Sequence, residues 1–219
     1  MRTPTILPAA HRRRLSPAEV GLLCAGLVFL ALALWGPVLH ASPHQHAFAD
    51  QRTLWGIPCA LDVLSNLPFA LAGAWGLVLL GRVRSGVLDG ATRATARLFC
   101  MGLVLTAAGS SWYHWQPDDA GLLWDRLGMT VAFAGMLGLA AAQRVSARAG
   151  GATALVVLAA GPLAVLWWAH TGNLLPWAVV QLGGMLLVLA LACLPQRAGA
   201  WVVPLGAVIA WYGAAKLLE

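Results

Sequence analysis

Residues 110–129 read SSWYHWQPDDAGLLWDRLGM and set two serines, a histidine, three aspartates and an arginine between two strongly apolar runs. Ser110 and His114 stand four residues apart, so on a helix they share a face about one turn from each other. Asp125 follows eleven residues after His114, beyond a Pro-Asp-Asp turn. A tight hairpin at that turn sets the start of one helix beside the end of the previous one. It can therefore bring the Asp125 carboxylate within reach of groups bound to the His114 imidazole.

The elements that must position these groups follow from composition. With 60% hydrophobic and 10% charged residues in 219, and a mean hydropathy of +0.76, the chain lies outside the range of soluble domains. Seven apolar runs of near-bilayer length recur: Val20–Leu39, Val63–Leu80, Leu98–Trp115, Gly121–Ala142, Ala152–Ala169, Leu174–Leu194 and Trp201–Leu218. They lack the ten-residue alternation of a membrane barrel, so helices must satisfy the backbone in lipid. The expected fold is all-α, a polytopic membrane helix bundle with seven transmembrane helices. It comprises an N-terminal tail over 1–19 and one membrane-embedded domain over 20–219. The first run is too long for a signal peptide and lacks a small-x-small cleavage site, so it is read as a helix. Cys24, Cys59, Cys100 and Cys193 are scattered and read as small core hydrophobes.

Net charge is +6, yet its distribution points to a membrane rather than to nucleic acid. Arg2, Arg12, Arg13, Arg14, Arg82, Arg84, Arg93, Arg97, Arg144, Arg148 and Arg197 all fall on one side of the expected topology, and Arg52 on the other. The positive-inside rule then puts the N-terminus in the cytoplasm and Ser110, His114 and Asp125 at the outward end. His40, His44, His46 and His170 join them there, while His11 lies inside. Thirteen arginines to one lysine, with abundant Ala and Gly, is the usage expected of a GC-rich bacterial genome, hence a bacterial inner membrane.

An aspartate near a helix centre costs roughly 2.5–3.5 kcal/mol on insertion scales, which marks intramembrane ionisable groups for function. Spacing alone leaves a second reading open. His114, between Trp112 and Trp115, can belong to an interfacial aromatic belt, Ser110 can bond its own helix, and Asp125 can pair with Arg126 or snorkel to water. Other features need only structural roles. Asp62 or Ser65 is expected to cap the second helix, 86–95 to form a short inner loop, and Pro162 and Pro176 to lie near helix starts. Gly183 and Gly184 suit close helix packing.

GSSWYHW followed by LLWDRLGM resembles the signature of the alkaline ceramidase family, part of a superfamily of seven-helix membrane hydrolases that includes the progestin and adiponectin receptors. LDVLSNLPFALAG, residues 61–73, is similar to the Ser-Asn-bearing helix that opens the family's core. The similarity spans about 50–219, with the helix at 20–39 as an addition in front. It implies that His114 is one of three histidine ligands to a catalytic zinc, that Asp125 holds and deprotonates the zinc-bound water, and that Ser110 steadies the oxyanion. Three protein ligands leave a position for water, whose pKa zinc lowers to around 7.

The family's closing helix carries a His-x-x-x-His pair that supplies the other two ligands, and this pair does not occur after Trp201. The expectation is that the polypeptide continues past Glu219 into that helix. His40 and His44 have the same spacing, but Pro43 disfavours a regular helix between them. The resemblance also implies a calcium site. Asp50 and Asp62 are its only loose candidates, and Cys59 stands where an acidic ligand is expected.

The resulting expectation is a zinc-dependent amidase that cleaves the N-acyl bond of ceramide-like lipids, releasing a fatty acid and a sphingoid base. A non-catalytic lipid receptor or binding protein on the same scaffold is the alternative. A retinal protein using Lys216, or a haem protein, has weaker support. Oligomeric state is left open by the sequence.

Overall fold

The computed structural model describes residues 14–218, so Arg2, His11, Arg12, Arg13 and Glu219 lie outside the described residues. Its elements are all helical: α1 (Pro17–Trp35), α2 (Ala60–Leu64), α3 (Leu67–Arg82), α4 (Gly90–Trp115), α5 (Asp119–Arg144), α6 (Ala147–Thr171), α7 (Leu175–Ala178), a π-helical turn (Val179–Gly183), α8 (Gly184–Ala192) and α9 (Leu205–Leu218). With α2 and α3 forming one span, and α7, the π turn and α8 another, six spans are long and apolar enough to cross a bilayer. The protein is a polytopic membrane helix bundle.

Local chemistry explains the boundaries. Ser16 and Glu19 form a reciprocal capping box before α1, with Pro17 opening the first turn. Asp89, Asp118 and Ser146 each accept a backbone amide at the starts of α4, α5 and α6. Gly172, at φ +71°, ends α6 in the left-handed conformation that glycine adopts without strain.

Several boundaries differ from the sequence reading. Helix α4 begins at Gly90 rather than Leu98, because Asp89 caps two turns whose Arg93 and Arg97 hide them from a hydropathy window; the inner loop ends before Gly90. Pro162 lies in the interior of α6, not near its start. The seventh helix is delayed to Leu205, because Pro204 forces the residue before it out of the helical region. At 14 residues it spans about 21 Å, less than a hydrocarbon core.

Connectivity and contacts divide the bundle into two ends. At the arginine end, Arg93 donates to the Leu80 and Val83 carbonyls (3.2 and 3.1 Å), satisfying the last turn of α3. Arg144 donates to the Leu194 carbonyl (2.6 Å), and Arg197 lies 3.5 Å from Asp89. Glu19 on α1 accepts from Ser146 and Arg148 (2.8 and 2.9 Å). The opposite, histidine end carries His40, His44, His46, His114 and His170. There the Leu39 amide donates to Asn173 (3.1 Å).

Helix α5 is the centre, packed mainly on α4 and α6 and also on α8. Its buried positions include Gly128, Ala134, Gly135, Gly138, Ala140, Ala141 and Ala142, small residues that let neighbouring backbones approach. Helix α1 is peripheral, meeting the bundle chiefly through α7 and the π turn, where Gly183 faces the Phe29 ring. Gly184 faces Leu137 of α5.

Candidate functional site

The antiparallel α4–α5 hairpin sets the register of the candidate residues. Gly102 faces the backbone of Ala132, and Gly128 faces that of Leu105. Gly109 faces Trp124 and Asp125, while Gly121 faces Tyr113. At each contact a Cβ on the glycine would fall within 3.0 Å of a facing backbone atom. The helices therefore touch along a glycine seam that only a missing side chain permits. Gly109 meets the backbone of Asp125, so Ser110, one residue on, lies beside the turn of α5 that carries Asp125.

The same register carries His114 one turn past that pair. The carboxylate it faces is Asp62 of α2, with Oδ2 4.0 Å from Nδ1, and Asp125 forms no ion pair with it. Among the described residues the carboxylate within 4.0 Å of His114 is therefore Asp62, while Asp125 stands across the seam from Gly109. His114 does not turn to lipid. Its Nδ1 is buried without a hydrogen-bond partner among the described residues, and the ring lies tilted against those of Phe48 and Tyr113, with centroids 4.4 and 5.3 Å away.

Asp62 was read as a cap and does not act as one. Helix α2 starts at Ala60 after Cys59, whose φ is +43°, and Ser65 donates to the Asp62 carbonyl at the helix end. The capping carboxylate comes instead from Asp50, which accepts from the Leu61 amide (2.9 Å) and pairs with Arg52. Asp50 and Asp62 therefore face different partners, Arg52 and the Leu61 amide for the one and His114 for the other.

The Arg52 guanidinium, followed by the Leu61 amide, holds the Asp50 carboxyl below its ordinary range. A carboxylate with a depressed folded pKa stabilises the fold above its unfolded pKa and loses that contribution as pH falls through the folded value. The Leu61 amide is accordingly expected to lose exchange protection, corrected for intrinsic rates, on acidification below about pH 4. In Asp50→Asn the protection should be weaker at neutral pH and nearly independent of pH over the same interval. Burial, followed by the charges of Asp62 and Asp50, pushes the Cys59 thiol up, which suits an inert packing residue.

A second polar cluster escaped the sequence reading because its histidine comes from a loop with no periodic pattern. Tyr113 donates to the Gln45 carbonyl (2.8 Å), and the His46 ring nitrogens lie 3.1 Å from the Tyr113 hydroxyl and 3.2 Å from Asp119. Gln45 also donates to Asp119 (2.9 Å), so this loop is fastened across the α4–α5 turn. On the far side of Tyr113, buried Arg126 places its guanidinium 4.0 Å from the Trp168 ring centroid. His40, His44 and His170 are exposed and do not join the group.

No family model matches the sequence, and neither a curated protein nor a solved structure matches it. The functional reading rests on the residues themselves. Among the described residues, no group of three His, Cys, Asp or Glu side chains is placed to hold a metal ion. The buried, unpartnered Nδ1 of His114 suits a ligand nitrogen, but one imidazole does not make a catalytic zinc site.

Proposed function

We propose that the chain is a membrane-embedded hydrolase that cleaves the N-acyl bond of a ceramide-like lipid into a fatty acid and a sphingoid base. The observation that supports this best is the juxtaposition of Ser110 and Asp125 across the glycine seam at Gly109. One turn outward lies an imidazole nitrogen that makes no hydrogen bond among the described residues. In this reading Asp125 accepts the proton of the attacking water and Ser110 donates to the oxyanion as the tetrahedral centre forms. Protonated Asp125 then returns the proton to the nitrogen as the C–N bond breaks and the amine leaves. The rings of Phe48 and Tyr113 screen that end of the site from water.

Zinc enters the proposal through His114 alone. The described residues do not fit a complete zinc site, so no step is routed through the metal. The zinc-dependent form of the proposal predicts stoichiometric zinc in purified protein and loss of fatty-acid release on chelation. Release indifferent to chelation would remove the metal and leave the hydrolysis. By the positive-inside rule the arginine end is cytoplasmic, and we place the site at the extracytoplasmic face of a bacterial inner membrane.

That the carboxylate within 4.0 Å of His114 is Asp62, too far for a hydrogen bond, favours one other reading, a lipid-binding protein without turnover. Its signature is metal-free protein that binds an N-acyl sphingoid lipid and returns it intact.

A further inference from the structure

The glycine seam has a second face. On α4 the residues Leu105, Ala108, Gly109 and Trp112, and on α5 Trp124, Leu127, Gly128 and Val131, repeat at the spacing of one helix face and line a furrow of about 610 Å³, with Thr130 and Pro162 completing it. Its cause is the seam itself. Where Gly109 and Gly128 bring the backbones together, no side chains fill the surface above them.

The furrow runs along the helix axes. From Trp112 to Leu105, and from Trp124 to Val131, it covers eight residues of each helix, a rise of about 10 Å. Its lining is almost wholly apolar, and the one hydroxyl there, of Thr130, donates to the Leu127 carbonyl (2.7 Å). Leu105, Trp112 and Trp124 are exposed, so the furrow is continuous with the membrane-facing surface of the bundle.

We propose that this furrow seats one acyl chain of a membrane lipid, with the polar end of the lipid beside Trp112 and Trp124. The axis of the furrow matches that of acyl chains in the bilayer, and tryptophans favour the level where chains meet headgroups. A second helix is the poorer occupant. Close helix approach in membranes uses small residues, and Gly109 and Gly128 already meet the backbones of α5 and α4. This inference stands apart from the hydrolase reading and holds for a protein without turnover as well.

The test is photolabelling of the whole chain in phosphatidylcholine vesicles doped with a phosphatidylcholine bearing a mid-chain diazirine, with adducts mapped by mass spectrometry. Adducts are expected to concentrate on Leu105, Leu127 and Val131 over Leu155, Val156 and Leu163, which are exposed on α6. Ala108→Phe, which fills the furrow from an exposed position, should lower furrow labelling about fivefold, equivalent to about 1 kcal/mol, and leave the α6 labelling unchanged. Even labelling of both faces in the unaltered protein would overturn the proposal, whatever the variant's folding. So would disulfide formation between two chains of Trp112→Cys under an added thiol oxidant, which would assign the furrow to a second copy.

Discussion

Asp125→Asn is expected to reduce fatty-acid release from an N-acyl sphingoid lipid by about a hundredfold to ten-thousandfold, the range of a lost general base. Asparagine keeps the shape of the side chain and can still meet the Ser110 hydroxyl, so helix content by circular dichroism should not change. What disappears is the capacity to take a proton from water. Ser110→Ala should cost less, about tenfold to a thousandfold, because it removes one oxyanion donor and leaves the base. The readout is kcat/KM for both variants beside their thermal unfolding. An Asp125→Asn protein with full activity would show that the carboxylate is a packing group.

The second large effect lies in the seam. Gly102→Ala is expected to destabilise the protein by about 3 kcal/mol, the upper part of the overpacking range, because the new Cβ meets the backbone of Ala132 rather than a side chain that can move. Gly26 of α1 provides the control, since a Cβ there has nothing within 4 Å. Gly26→Ala should be stabilising by up to about 1 kcal/mol through helix propensity. Thermal unfolding in one detergent compares the two. Because the seam carries Gly109 to Asp125, Gly102→Ala should also lower activity without touching a reacting group. Equal stability of the two variants would mean that α4 and α5 are not held by backbone contact.

The spans were legible because hydrocarbon leaves helices as the solution for long apolar runs. Where polar residues lie inside a helix, that signal failed: the first turns of α4, bearing Arg93 and Arg97, were read as loop. That Asp125 returns to the outward end of the helix bearing Ser110 and His114 is legible because a short hairpin joins the two helices. Asp62 could not be matched to His114, since it arrives on α2 from far earlier in the chain. The glycines at 102 and 109, and at 121, 128 and 135, repeat every seven residues, a pattern whose meaning depends on the partner helix. For His46 the topology gives the side of the membrane but not the partners, because a loop histidine acquires them only when the loop folds over α4 and α5.

Hydrolysis at this site can be read from the oxygen that water delivers. Purified protein incubated with an N-acyl sphingoid lipid in ¹⁸O-water should release fatty acid carrying the heavy isotope in its carboxylate, and the release should vanish in Asp125→Asn. Intact lipid after prolonged incubation, or fatty acid released without the label, would contradict water attack on the N-acyl carbonyl.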